Sequence, residues 1–218
     1  MKTVSEKEKV KGIEDLYFKP YSKIISFEVR KEINGMSPIA RADAIIKMKN
    51  VKASYLIARY EPSVDKKALE KIVLESKDPE ISCYFARDIE GADKKAHEQI
   101  VLESKNADCC YWFARDIEGA DIKALEKIVL ESKDPRVSCY FACNVEGANK
   151  KAHEQIVLES KDIEQSYYFA RDIEGANVEE HKKIFYGHPI YKERFDDAMR
   201  IKQKLKGKEE KVFRKIKK

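Results

Sequence analysis

Glycine and proline are scarce in this chain. There are 8 glycines and 6 prolines among 218 residues. That excludes a collagen-like or low-complexity chain and argues against a turn-rich all-β sandwich. Tryptophan occurs once and histidine four times. No apolar run approaches 18 residues, so no membrane span is expected. The start, Met1 to Lys7, lacks the apolar stretch of a secretion signal, which predicts a soluble cytoplasmic protein. Cysteine is sparse and odd in number. Cys83, Cys109, Cys110, Cys139 and Cys143 form no C-x-x-C pair, and two helix-adjacent thiols fall short of a four-ligand zinc site. They read as small, free, partly buried thiols, with no metal or other cofactor expected. Nucleophile-elbow, P-loop, dinucleotide and H-E-x-x-H motifs are all missing. Neither an enzyme nor a small-molecule substrate is expected.

Charge is abundant, at 38% of residues, but unevenly placed. Residues 1–50 carry a balance of +4, residues 51–187 of −6 and residues 188–218 of +7. The middle is mildly acidic and both ends are basic. A nucleic-acid-binding repeat array would more usually be basic along the repeats themselves.

The middle is built from one recurring block. Ala58, Ala86, Ala114, Ala142 and Ala170 stand 28 residues apart without a slip. Tyr84-Phe85-Ala86-Arg87-Asp88-Ile89-Glu90-Gly91-Ala92-Asp93 returns as Trp112-Phe113-Ala114-Arg115-Asp116-Ile117-Glu118-Gly119-Ala120-Asp121. A fixed period of this size means stacked copies of one small unit. In the copy that begins near Asp78, Asp78-Pro79 reads as an N-cap with proline in the first turn. Ile81, Tyr84, Phe85 and Ile89 draw one apolar stripe. Gly91 stands where a left-handed residue would close that helix. Asp93 opens a second helix to about Ser104, with Ala96, Ile100, Val101 and Ser104 inward. Helices of about eleven residues are marginal alone. Each copy must therefore borrow an interior from its neighbours.

These signals predict an all-α fold: an α-solenoid of stacked αα-hairpins, about six units with divergent caps. Residues 1–53 form an N-terminal capping region with a faded repeat, in which Ser37-Pro38 opens the second helix. Residues 54–187 carry the array, and 188–218 form a basic helical cap or tail. The alternation of Lys95-Ala96-His97-Glu98 with Lys67-Ala68-Leu69-Glu70 adds a 56-residue rhythm.

Three residue rows are candidate functional sites. Arg59, Arg87, Arg115 and Arg171 share one position, and Cys143 breaks the row. Four residues earlier stand Tyr55, Cys83, Tyr111, Cys139 and Tyr167. Helical geometry puts both positions opposite Phe85 and Ile89, so a stripe of tyrosine and arginine is expected on one surface. Both residues are favoured in binding hot spots. The competing reading is that each arginine pairs with acids of a neighbouring unit. Asp88, Asp116 and Asp172 form the second row. Asn144 replaces the acid where Cys143 replaces the arginine, which suggests Arg–Asp pairing between units. The third row, His97, His153 and His181, alternates with Leu69 and Leu125. A position that accepts leucine is mainly a packing position. The repeated Ser76, Ser104, Ser132 and Ser160 read as helix-end residues.

The tail from Arg200 to Lys218 holds ten Lys/Arg and two acids. Arg200, Lys202, Lys204, Lys206, Lys208, Lys211, Arg214 and Lys215 are candidates for nucleic-acid contact. Phe195, Ala198, Met199 and Leu205 are expected to pack on the last unit. Gly207 is expected to interrupt the helix, with Val212, Phe213 and Ile216 forming a second amphipathic piece.

The motif [YW]-F-A-R-D-I-E-G-A-[DN] in an alanine-centred hairpin resembles a compact HEAT-type helical repeat. It is also similar to short repeats of uncharacterised bacterial and phage proteins. The resemblance covers about residues 54–180. It implies a scaffold or recognition role and no catalytic residue. A protein partner is the leading expectation, bound through Arg59, Arg87, Arg115, Arg171, Tyr55, Tyr111 and Tyr167. A nucleic-acid partner at the basic ends is the alternative. The likeness alone suggests a third, an inhibitor of a host complex carried by a phage or mobile element.

Overall fold

Thirteen helices and no strand make up the described residues. A computed structural model describes the backbone of residues 27–216 and the side chains of 28–205 except Arg30. The faded copy aligns Ile25-Ser26-Phe27 with Ala53-Ser54-Tyr55 in sequence, and Ile25 and Ser26 lie outside these residues. The chain divides into two compact units, the first ending at Ser104 and the second beginning at Lys105.

The first unit holds three hairpins: α1 (Phe27–Ile33) with α2 (Pro38–Met48), α3 (Val51–Tyr60) with α4 (Lys66–Ser76), and α5 (Pro79–Asp88) with α6 (Lys94–Ser104). The second also holds three: α7 (Ala107–Asp116) with α8 (Ile122–Ser132), α9 (Pro135–Asn144) with α10 (Lys150–Ser160), and α11 (Ile163–Asp172) with α12 (Val178–Phe185). It ends in α13 (Pro189–Ile216). Within each unit the helices of a hairpin pack together. First helices pack on first helices, as α3 on α5 and α9 on both α7 and α11. Second helices do the same, as α4 on α6 and α10 on both α8 and α12. That is the α-solenoid pattern expected from the 28-residue period.

Local chemistry explains why each hairpin forms. Asp78, Asp134 and Asp162 cap the first helices by accepting from backbone N–H groups of the first turn. Asp65, Asp121, Asn149 and Asn177 do the same for second helices. Phe85, Phe113, Phe141 and Phe169 are fully buried, and Ile89, Ile117, Val145 and Ile173 lie beside them in the core. Burying a phenyl ring away from water supplies about 1.5–3 kcal/mol per site.

The turns depart from the sequence expectation. Gly91 does not close α5. Ile89 already leaves the helix, with φ −104°. Ala92 N–H then donates to the Ile89 carbonyl at 3.2 Å. Gly91, at φ +78°, is the third residue of that turn, the type II position that needs positive φ. The left-handed residues that do close helices are lysines: Lys49, Lys77, Lys105, Lys133 and Lys161, at φ between 49° and 55°. A serine stands one residue earlier at all of these but Lys49. Ser132 Oγ donates to the Val129 carbonyl at 2.7 Å and accepts from Asp134 N–H at 3.2 Å. Ser76 and Ser160 repeat the arrangement, and so serve as the helix-end residues expected.

The last hairpin is sealed differently. Tyr167, Ala170, Phe185 and Phe195 form one buried cluster, with Met199 against it. Ala198 is half-buried. Leu205, expected to pack, is 55% exposed. Gly207 does not interrupt α13, whose backbone stays helical to Ile216. The helix interior hydrogen bonds need no side chain there, so one glycine lowers its stability without breaking it. The side chains of Val212, Phe213 and Ile216 lie outside the described residues. No described helix is long and apolar enough to cross a membrane.

Candidate partner-binding surface

The Tyr-x-x-x-Arg-Asp motif lies on first helices, complete in α7 and α11 and partial in α3 and α5. It forms a braced polar cluster, not a row of free side chains. In the first unit, Tyr55 is buried and its hydroxyl donates to Asp88 of the next hairpin. Arg59 Nη1 donates to the Tyr55 hydroxyl at 2.5 Å and lies 2.6 Å from Asp88 Oδ2. Arg87 grips the same carboxylate with two bonds, 2.7 and 3.2 Å long. Burial first, then the Asp88 carboxylate, pushes the Tyr55 phenol up to about 12. Burial alone would raise the Asp88 carboxyl. Hydrogen bonds from Arg87 and Tyr55 and the nearby guanidinium charges outweigh it and hold Asp88 below its ordinary value.

The second unit repeats the design with changes. Arg115 binds Asp116 through Nε and Nη2 at 2.6 and 2.8 Å, and donates to the buried Tyr111 hydroxyl at 3.2 Å. Arg171 binds Asp172 at 2.7 and 2.6 Å and the buried Tyr167 hydroxyl at 3.1 Å. Asn144 Nδ2 donates to the Tyr111 hydroxyl at 3.1 Å. The guanidiniums also stack on rings: Arg115 over Tyr111 at 5.2 Å and Arg171 over Tyr168 at 4.9 Å.

Two expectations change here. The Arg–Asp pairing suggested between units is chiefly local, since Arg87, Arg115 and Arg171 each bind the aspartate that follows them. In these rows the Arg59–Asp88 pair spans two hairpins; Tyr60 follows Arg59 where the other arginine-bearing copies have an aspartate. The surface stripe is also not alternating tyrosine and arginine. Tyr55, Tyr111 and Tyr167 lie beneath, with buried rings, while Arg59, Arg87 and Arg115 are exposed and Arg171 is half-exposed.

The rings that do face outward sit one residue later. Tyr84, Trp112 and Tyr168 are half-buried, and Tyr140 is 41% exposed. The sequence reading placed Tyr84 in the inward stripe. Spacing of three from Ile81 permits that, but Phe85 takes the inward place and Tyr84 stacks under Arg87 at 5.1 Å. The signal that could have separated them is the arginine three residues on. A ring followed at i+3 by arginine shares its solvent-facing side.

The histidines line the other row of helices. His97, His153 and His181 are fully buried, with ring centroids 5.3, 5.1 and 5.1 Å from Phe85, Phe141 and Phe169. Each meets one glutamate of the preceding hairpin: Nε2 lies 3.3 Å from Glu70, 3.2 Å from Glu126 and 3.4 Å from Glu154. The same glutamate oxygen accepts the backbone N–H of the next cap residue, Asp93, Asn149 or Asn177, at 2.6, 2.6 and 2.5 Å. Burial lowers all three histidines, against the opposing glutamate charge. These are packing residues, and His97 and His153 are each tethered by one polar bond. Among the described residues no group of three or more His, Cys, Asp or Glu side chains is placed to hold a metal ion.

Cys83, Cys109, Cys110 and Cys139 are buried and Cys143 is exposed, all as free thiols. Burial pushes Cys110 and Cys139 up to about 12, far from a nucleophilic thiolate at neutral pH. On α13, Arg200, Lys202 and Lys204 are exposed. Arg200 pairs with Asp197 at 3.1 Å, and Lys202 Nζ donates to the Arg171 carbonyl. Lys206, Lys208, Lys211, Arg214 and Lys215 lie on the helical backbone, with side chains outside the described residues.

No family model, no curated protein and no solved structure matches the chain.

Proposed function

We propose that this protein is a non-enzymatic interaction module that binds another protein through the outer face of its first helices. One observation carries the reading. The arginines of that face are solvent-accessible yet already fixed, by bidentate bonds to aspartate and by tyrosine beneath. A flexible arginine loses rotamer entropy when a partner immobilises it. Here most of that loss has occurred within the fold, so an encounter keeps more of its contact energy. The neighbouring half-exposed Trp112 and Tyr168 supply ring area, and Trp, Tyr and Arg are the residues that dominate interface energetics.

The test replaces Arg87, Arg115 and Arg171 with alanine in the full chain and measures partner capture in the native host. A hot-spot cluster predicts a loss of roughly tenfold or more. A thermal melt separates this from unfolding. Undiminished capture by a folded variant refutes the surface.

A second reading rests on the exposed Arg200, Lys202 and Lys204 of α13 and the basic stretch after them. There the partner is nucleic acid, bound by charge. Removing 200–218 would abolish an electrophoretic shift, and binding would weaken steeply with salt. A salt-insensitive shift, or one unchanged by the truncation, excludes it.

A further inference from the structure

One repeat of the second unit has lost two large side chains together, and the space they leave is a built cleft. The intact arrangement is that of Tyr55, Arg59, Tyr84 and Asp88. Three periods later the same four positions hold Cys139, Cys143, Tyr168 and Asp172. Ring and carboxylate remain; the phenol and the guanidinium that covered them are gone. Asp88 accepts from Tyr55, Arg59 and Arg87, and its side chain is 12% exposed. Asp172 accepts only from Arg171, and its side chain is 35% exposed. A cleft of about 370 Å³ opens there between α9 and α11.

A second residue marks the cleft as a polar site. Gln165 lines it, is 7% exposed, and its Oε1 has no hydrogen-bond donor. The equivalent positions in the other copies are Ala53, Ile81, Cys109 and Val137, all apolar or nearly so. A buried acceptor without a donor is destabilising unless something answers it. The cleft is lined by the Gln165, Asp172 and Glu164 side chains, beside the rings of Tyr140 and Tyr168. Its two cations are already matched. Arg171 binds Asp172, and Arg136 lies 3.0 Å from Asp108 and 3.6 Å from Asp134. What the cleft calls for is a planar, donor-rich cation.

We propose that this cleft binds the guanidinium of an arginine carried by a protein partner, with Asp172 and the Gln165 side chain accepting its hydrogen bonds beside the rings of Tyr140 and Tyr168. The guest takes the place that Arg59 fills above Asp88. Arginine is favoured over lysine because a flat fork can stack and meet two acceptors at once. A peptide-borne arginine is favoured over the free amino acid because no unmatched cation in the cleft answers an α-carboxylate. The proposal rests on the interaction-module reading and locates one specific contact within it.

The full-length ¹⁵N-labelled protein is titrated with the blocked tripeptide acetyl-Gly-Arg-Gly-amide and followed by amide shifts. The matched citrulline peptide and free L-arginine serve as controls. Saturable shifts are expected for residues 139–144 and 164–173. Removing the charge with citrulline should weaken binding roughly tenfold. Cys143→Arg supplies the guanidinium from within and should abolish binding. It should fold, because arginine occupies this position in the other four copies. Gln165→Val restores the apolar residue found at 137 and should weaken binding while the fold persists. The proposal is overturned by an absence of saturable shifts, by equal binding of citrulline, or by full binding to folded Cys143→Arg. Tighter binding of free L-arginine overturns the polypeptide source. If the arginine-to-alanine variant loses partner capture while Cys143→Arg keeps it, the cleft fails and the wider surface stands.

Discussion

Acid should loosen this protein through His97, His153 and His181, and leucine at those positions should remove the effect. All three rings are fully buried, and burial holds each below the ordinary histidine value near 6.5. The folded chain then takes up protons less readily than the unfolded chain. Their contribution to stability is complete above about pH 6.5 and is lost as pH falls below it toward the folded-state values. While the unfolded chain binds one more proton per histidine, stability changes by about 1.4 kcal/mol per pH unit for each, so at most about 4 kcal/mol per unit for three. Asp88, also depressed, acts only in a lower window, at and below its ordinary value of 3.8. The assay is urea unfolding followed by circular dichroism between pH 7.5 and 5.5, on the natural chain and on a His97→Leu, His153→Leu, His181→Leu variant. Leucine already stands at the equivalent 69 and 125, so the pocket accepts it. The natural chain should lose midpoint on acidification and the variant should lose much less. Parallel profiles would refute the reasoning. A natural chain that gains stability toward pH 5.5 would show that the glutamate charges outweigh burial.

Other perturbations have equally definite outcomes. Phe141→Ala empties a site with no exposed area and should cost about 3–5 kcal/mol; hydrogen exchange should report faster opening of α9 and α10. Lys133→Gly relieves a left-handed residue at φ 55° and should stabilise by about 0.5–1 kcal/mol, read as a raised melting temperature. Gly147→Ala should destabilise by about 1–2 kcal/mol, because φ is +80° and the space around its Cβ position is empty, leaving backbone strain as the whole cost.

Much of this was legible in the sequence because the period leaves little freedom. Five alanines 28 apart, Asp-Pro at helix starts and buried phenylalanines each report the hairpin independently, and they agree. The turns were harder. Gly91 and Lys77 both take positive φ, but only glycine advertises it, so the lysine turns leave no compositional mark. The surface was harder still. Tyr84 and Phe85 are adjacent large rings, and one degree of freedom, the rotation of the helix against its neighbours, decides which faces water. Gln165 shows what a single chain conceals in plain view. It is one polar letter in an apolar column, informative only once Cys139 and Cys143 are known to leave room beside it.

The glutamate that ties successive hairpins has a direction. Glu70, Glu126 and Glu154 each hold the opening amide of the second helix in the hairpin that follows, never the one before. Removing a hairpin from the N-terminal side strips its successor of that anchor, whereas trimming from the other end only returns a carboxylate to solvent. Synthesis on the ribosome runs the same way, so the second helices opened by Asp93, Asn149 and Asn177 emerge to find their latch already made.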